Sequence, residues 1–474
     1  MNEIFINGID ISEFKLYNRS LLKDLSSLSD IIKKKCGFMP ETKYDEMSDG
    51  EHYIIVDGSE LIADKYSIRF EGGNVIIKGS SHSVLAAIDM FCEKIMSAAE
   101  LTDRDNLEGS TGKKKLYSKK QLEKVIKKVY DDPSRIIVGE QVCGNPKGPY
   151  NIEESIERFR NATKKNPGIM GLDLACYGLG LPIYDDVTWS AYICDIVDYI
   201  ADGGIISASA HWANPSGYDD GYYNSCRGHL GKIDTMEGYE KAYTDLLTEG
   251  TELNRIFMSE IEQEARFLKA LKDNGVSIIW RPLHEANGNW FWFCTTQNGK
   301  TVEAKYTVAI WKHIYKYFTK EWELDNLIWC YSPNVSGNIN DEPGGVMSTT
   351  YLYPGDEYCD IVGVDWYTGG KLEITGNDTY LRLINLAKKP GAICEFGTRG
   401  AAMAEDPADQ CNIYSAMNLH NDLLALRDKG LSFIYILTWY NRWNIANLSR
   451  GDELMATEMA MGLTEVKALF DSLK

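Results

Sequence analysis

The sequence predicts an α/β chain: a (β/α)8 TIM barrel over residues 121–474, a small α+β N-terminal domain at residues 1–100, and a linker at residues 101–120 between them. Three observations carry this. From about residue 120 onward, eight apolar, β-prone runs alternate with amphipathic segments, the sequence form of repeated β/α units. Several of those runs close on ionisable and aromatic residues, which is what the C-terminal rim of a parallel barrel supplies to its site. All eleven Trp lie at or beyond Trp189, so the first third of the chain is a different kind of domain.

In that first third, short strand-like runs cover Glu3 to Ile6, Tyr53 to Val56, Tyr66 to Phe70 and Val75 to Lys78. Glu71-Gly72-Gly73-Asn74 joins the last two and is a hairpin signal. Ser80 to Ser83 then lead into an apolar-periodic helix from Val84 to Phe91. Strand, hairpin and helix make a small α+β domain. It resembles the non-catalytic domain that precedes the barrel in several exo-acting glycosidases and glucuronidases. Residues 101–120, with Gly109-Ser110-Thr111-Gly112 and Lys113-Lys114-Lys115, are polar and small with no apolar period, and are expected as a solvated linker.

The eight barrel strands are expected at Ile136–Glu140, Ile169–Leu174, Gly204–Ala210, Val276–Pro282, Leu327–Tyr331, Ile361–Trp366, Ala392–Glu395 and Phe433–Trp439. Helical segments between them include Ile152–Lys165, Leu253–Lys272 and Val302–Phe318. The main rival, a doubly wound open sheet, needs a Gly-rich phosphate turn after its first strand. Gly139-Glu140-Gln141-Val142 does not supply one.

The fourth run is the most informative. Val276 to Trp280 follows the helix-ending pair Asn274-Gly275, and Pro282 stops regular pairing because it has no N–H to give. Directly after it come His284-Glu285, Asn287-Gly288 and the aromatics Trp290, Phe291, Trp292 and Phe293. This is no zinc-binding His-Glu-x-x-His, since position 288 is Gly, and no Cys/His cluster stands nearby with finger spacing. The seventh run closes on a carboxylate, Glu395, and the third, sixth and eighth on His211-Trp212, Asp365-Trp366-Tyr367 and Trp439-Tyr440. Glu285 and Glu395 therefore belong to one face of the barrel. Two carboxylates across a cleft are what glycosidic cleavage needs, one to protonate the leaving oxygen and one to attack the anomeric carbon or activate water. Separations near ~5–5.5 Å retain configuration and ~6.5–9.5 Å invert it. Aromatics beside them serve as platforms for sugar rings.

Composition narrows the partners. A formal charge of -19 disfavours nucleic acid and anionic membrane surfaces and suits a neutral substrate. No apolar run reaches the ~20 residues of a membrane helix. The N-terminus lacks the pattern of a signal peptide, and eleven scattered Cys suit reduced, buried thiols, so a cytoplasmic protein is expected, or a secreted one if a signal has been removed.

Taken together, Arg281-Pro282-Leu283-His284-Glu285, Asn287-Gly288 and Trp290-Phe291-Trp292 resemble the acid/base motif of glycoside hydrolase family 26, a β-mannanase-like family of the retaining TIM-barrel clan. His211-x-x-Asn214-Pro215, Asp365-Trp366-Tyr367 and Glu395-Phe396-Gly397 fall in order where that family has its other motifs. The resemblance implies Glu285 as acid/base, Glu395 as nucleophile, His284 positioning the nucleophile or the substrate 2-hydroxyl, and Tyr367 holding the nucleophile. It places His211, Trp290 and Trp439 beside the scissile bond and leaves Trp212, Trp366, Phe293 and Trp443 as core or rim. It implies no metal and no organic cofactor. The implied substrate is β-1,4-mannan or manno-oligosaccharide, with mixed-linkage β-glucan or β-1,3-xylan as the alternatives. Ala286, where the family commonly has Met, and Phe293-Cys294 depart from the pattern beside the subsites. Gly217 to Tyr223 is expected to wall one side of the cleft. The rival from another class is a catalytically silent barrel that only binds carbohydrate, which would show affinity without turnover.

Overall fold

The computed structural model describes residues 3–142, 152–174, 185–217, 230, 235–297, 299–335, 348–368, 372, 379–398, 418–439, 443–445, 448 and 450–473. The chain divides into two compact units: residues 1–115 with 184–198, and residues 116–183 with 199–474.

In the first unit a six-stranded sheet runs in the order Thr42–Lys43, Phe14–Arg19, His52–Asp57, Asn74–Gly79, Lys65–Glu71, Leu107–Ser110. The first four strands are parallel and the last two antiparallel. Phe14–Arg19 buries alternate residues, so one face of the sheet is core and the helices Ser26–Cys36 and Val84–Ser97 supply apolar residues to it. The expected hairpin pairs Glu71 with Asn74 across Gly72-Gly73, which sit at φ +57 and +80. Such a two-residue turn asks for positive φ at both positions, which glycine adopts without strain.

The stretch expected as a linker is partly structured. Leu107–Ser110 is an edge strand on Lys65–Ile68, Asn106 accepts a hydrogen bond from the Phe70 N–H, and the helix Lys119–Tyr130 begins at a Ser118 cap. Composition misleads here because a short, polar edge strand reads like a solvated connector. The first unit therefore runs to residue 115 rather than 100.

The second unit is a closed parallel barrel. Its strands are β1 (Ile136–Val142), β2 (Ile169–Asp173), β3 (Ile205–Ser209), β4 (Ile278–Arg281), β5 (Leu327–Tyr331), β6 (Ile361–Thr368), β7 (Gly391–Thr398) and β8 (Tyr435–Thr438). Each pairs in parallel with the next, and β8 pairs with β1 (Tyr435 with Ile137), which closes the ring. A short ninth strand, Ala460–Met461, adds to β1 beside β8. β4 is shorter than the apolar run suggested and stops at Arg281, because Pro282 cannot continue the ladder.

One end of the barrel is packed by Ile137, Ile169, Ile205, Ile279, Ile328, Ile361 and Ala392, with Tyr117 stacked on Phe470 at 4.2 Å nearby. The layer above is small. A Cβ on Gly363 of β6 would lie 2.1 Å from the Cys394 Sγ, so glycine there makes room for the neighbouring strand's thiol.

β7 carries an irregularity at the critical place. Its register against β6 runs Val364 with Ile393, then Asp365 with Glu395, so Cys394 is an extra residue. A bulge of this kind re-aims side chains. Cys394 and Glu395, although consecutive, both contact groups inside the barrel: the Cys394 Sγ lies 3.6 Å from the Cys330 Sγ, and Glu395 reaches Arg281. No helix among the described residues is long and apolar enough to cross a membrane.

Candidate active site

The site is built on Arg281, the last residue of β4. Its guanidinium is almost fully buried and holds two carboxylates. Nη1 donates to both oxygens of Asp365 at 3.0 and 2.8 Å, and Nη2 donates to Glu395 Oε1 at 2.5 Å. Ser332, just beyond β5, donates to Asp365 Oδ1, and Tyr367 donates from its hydroxyl to Glu395 Oε2 at 2.9 Å. Burying a cation is costly unless it is paired, and here each terminal nitrogen meets a carboxylate. Both donors on Glu395 favour its charged form.

Past Pro282 the chain makes a strained turn, with Leu283 at φ +48 and Glu285 at φ +55. Non-glycine residues hold such conformations where surrounding contacts over-determine them. Here the Glu285 N–H donates to Ser332 O at 2.8 Å, and the Gly288 N–H donates to Glu285 O at 2.8 Å. Asn287 and Asn334 lock the same turn to the end of β5. The Asn287 Nδ2 donates to Asn334 O at 2.9 Å, and the Asn334 N–H returns to Asn287 Oδ1 at 2.8 Å.

Glu285 is 7% exposed and takes one donor on each oxygen: Asn334 Nδ2 on Oε1 and Trp290 Nε1 on Oε2, both at 2.7 Å. Burial, and then the charge of Glu395, push its carboxyl up to about 7, against the pull of those two hydrogen bonds. The two glutamates thus differ by environment. One sits against a cation, the other in a desolvated pocket where the neutral acid persists near neutral pH.

A second polar chain enters from β2 and β3. His211 Nδ1 lies 2.8 Å from Asp173 Oδ2, and the His211 N–H donates to Asp173 Oδ1 at 3.1 Å. His211 Nε2 is 3.1 Å from His284 Nε2, which is 3.9 Å from Glu395 Oε1. Phe291 packs against both imidazoles with ring centroids 5.1 Å away, and Trp439 lies 6.1 Å from His211. Burial, with His211 and Arg281 nearby, pushes the His284 imidazole well down, so it is neutral.

His284, Asp365 and Glu395 have ligand atoms close enough to share a metal ion. The Arg281 guanidinium, bonded to both carboxylates, already supplies the positive charge there.

All seven residues singled out in the sequence fall in this cluster. Tyr367 touches Glu395, Trp290 touches Glu285, and His211 and His284 touch each other. Trp212 is buried, giving its indole N–H to Glu264 rather than to the cleft. Phe293 is buried core, while Trp443 packs edge-on to Tyr367 at 6.4 Å. Residues 218–223, expected to wall the cleft, lie outside the described residues, as does Tyr440. Sequence reasoning passed over Asn334, Asp173 and Phe291. Asp173 carried the same signal as Glu395, a carboxylate closing an apolar strand; Asn334 carried none.

Comparisons with known proteins agree with this geometry. The family described as glycosyl hydrolase family 26 matches residues 117–440. A mannan endo-1,4-beta-mannosidase of Bacillus subtilis (strain 168) is 32% identical over 292 residues, covering 61% of this chain and 70% of that one. A mannan endo-1,4-beta-mannosidase A and B of Caldalkalibacillus mannanilyticus is 29% identical, covering 61% of this chain and 50% of that one. The crystal structure of the YdhT protein from Bacillus subtilis superposes with a TM-score of 0.58 at 25% identity, covering 73% of this chain and 92% of that one. A parallel barrel with paired glutamates at the ends of β4 and β7, and a family match that spans it, place the chain in glycosyl hydrolase family 26: it is a glycoside hydrolase.

Proposed function

We propose that the chain hydrolyses β-1,4-mannosidic linkages in mannan or manno-oligosaccharides, with retention of configuration, by a two-glutamate double displacement. The observation that carries the reading is the asymmetry between Glu285, held near neutral pH as an acid, and Glu395, held by Arg281 and Tyr367 as a carboxylate. In the first step Glu395 bonds to the anomeric carbon as the glycosidic C–O bond breaks, and the Glu285 proton passes to the leaving oxygen. In the second, Glu285 takes a proton from water, the resulting hydroxide bonds to the anomeric carbon, and Glu395 leaves as carboxylate. The strong negative charge of the chain, -19, suits a neutral polysaccharide. Mannan is favoured because relatives bearing the name mannan endo-1,4-beta-mannosidase match most of the barrel.

The test is product profiling on β-1,4-mannan, manno-oligosaccharides, mixed-linkage β-glucan and β-1,3-xylan, with Glu285→Gln and Glu395→Ala as controls. Mannose-containing products that vanish in both variants are expected, with the anomer first released in the β form by NMR. Products from glucan or xylan alone would replace the substrate assignment. Saturable binding without turnover would point to a silent barrel.

A further inference from the structure

The reading of Glu395 as nucleophile leaves the buried pair Asp173 and His211 without a task, and the inference below rests on that reading. Both are enclosed, 1% and 4% exposed, at the ends of β2 and β3. Asp173 spends both oxygens on His211: Oδ2 faces the ring Nδ1 at 2.8 Å and Oδ1 accepts from the backbone N–H at 3.1 Å. A carboxylate beside Nδ1 keeps the proton on that nitrogen. In the neutral ring the His211 Nε2 then carries a lone pair, and it points at His284 Nε2 only 3.1 Å away.

Two lone pairs at that distance repel, so one proton lies between the rings. If His211 were doubly protonated and donated it, His284 would have to carry its own proton on Nδ1. That nitrogen is buried and has no hydrogen-bond partner among the described residues. An orphaned N–H costs about 1–3 kcal/mol, and Phe291, packed against both rings, offers no counter-charge. If instead His284 donates from Nε2, its Nδ1 is a bare lone pair, the cheaper group to leave unpaired. The arrangement is then Asp173 carboxylate, His211 Nδ1–H, His211 Nε2, His284 Nε2–H, with the last proton also on the side facing Glu395 Oε1 at 3.9 Å.

We propose that Asp173 is a positioning residue for the nucleophile: it fixes the tautomers of His211 and His284 so that His284 presents a neutral Nε2–H edge to Glu395. A neutral donor holds the carboxylate in place without pairing off its charge. An imidazolium there would form an ion pair with Glu395 and blunt its attack. A bare nitrogen would repel it. Asp173→Asn keeps the shape and reverses the logic. The amide N–H facing His211 Nδ1 moves the ring proton to Nε2, which evicts the proton from His284 Nε2.

The test reads the ring nitrogens directly. The full chain is labelled with 15N-histidine, and long-range 1H–15N spectra are recorded from pH 6 to 8, assigned with His211→Phe and His284→Phe. The expected result is protonation at His211 Nδ1 and His284 Nε2 in the wild type, and at His211 Nε2 in Asp173→Asn. On a manno-oligosaccharide, kcat of Asp173→Asn should fall about 100-fold with KM within about threefold, since the loss is one of orientation at the reacting carbon. A wild-type His211 protonated at Nε2, or doubly protonated, overturns the proposal. So does an Asp173→Asn protein whose tautomers reverse while kcat holds. Should the variant fail to fold, the wild-type spectra still decide the assignment. If the wild type cleaves no sugar on the panel, the substrate assignment fails, and the spectra still decide the tautomers.

Discussion

Trp290 donates its indole N–H to Glu285 Oε2 at 2.7 Å, five residues along the same loop. The residue expected as a wall for the sugar therefore also holds the acid. A hydrogen bond to a carboxylate favours the ionised form, so Trp290 works against the burial that keeps Glu285 protonated. Trp290→Phe keeps the ring and removes the donor. The alkaline limb of kcat/KM should move to higher pH, and water attack, which needs Glu285 as base, should slow by roughly 10-fold. Pre-steady-state kinetics with an activated aryl glycoside would show this as a larger burst over a slower steady state. An unmoved limb would mean that the indole N–H does not set the acidity of Glu285.

The wild-type pH profile has a predictable alkaline side. Glu285 must carry a proton to act as acid, and its carboxyl sits at about 7. Below that pH the acid form prevails; above it activity falls as the proton is lost. A limb of kcat/KM centred near 7, which Glu285→Gln abolishes, is expected with a poor leaving group. With an activated leaving group that needs no protonation the limb should flatten.

Arg281→Met tests the buried cation. Removing it strands Asp365 and Glu395 without their shared partner, and breaking a buried pair in this way costs about 3–5 kcal/mol. Thermal unfolding should show a clear drop in Tm, and hydrolysis should be lost together with it. Arg281→Lys should recover part of the stability but little activity, because one ammonium cannot reach two carboxylates with a planar fork.

Glu264 predicts a pH dependence of stability. It lies on the helix Glu252–Asp273, 1% exposed, with one oxygen accepting from Trp212 and the other, Oε1, without a partner among the described residues. Burial pushes its carboxyl well above the ordinary range. The unfolded chain releases this proton near ~4.3 while the folded chain keeps it, so the unfolded state binds fewer protons and stability declines as pH rises from there. Glu264→Gln removes that decline and keeps the acceptor for Trp212. Its Tm should exceed the wild type by roughly 2–4 °C at pH 8, with the gap closing toward pH 4. A gap constant with pH would mean that Glu264 is not the titrating group.

How much of this could be read beforehand depends on whether a residue's role is local. Glu285 and Glu395 each close an apolar run, and that pattern survives in one dimension. Leu327–Tyr331 was bounded correctly for the same reason, being a run buried at every position. Asn334 acts only because Asn287, 47 residues away, clamps its backbone, and no spacing rule announces such a pair. Trp290 was visible as an aromatic but not as a donor. In the first unit, Phe14–Arg19 was missed because its buried positions alternate with Lys15 and Asn18, and its partner His52–Asp57 lies well along the chain.

The extra residue in β7 makes chain length itself part of the site. Along a regular strand, neighbours point to opposite faces, so Cys394 and Glu395 could not both face the lumen. Only the added residue between Ile393 and Glu395 allows it. Deleting Cys394 would leave every chemical group of the centre in the gene and still turn the nucleophile toward the helices. For this strand the count of residues is under the same selection as their identity. A one-residue gap in a homologue at this point would mark a protein that has exchanged its carboxylate for a different geometry, even with the glutamate in plain sight.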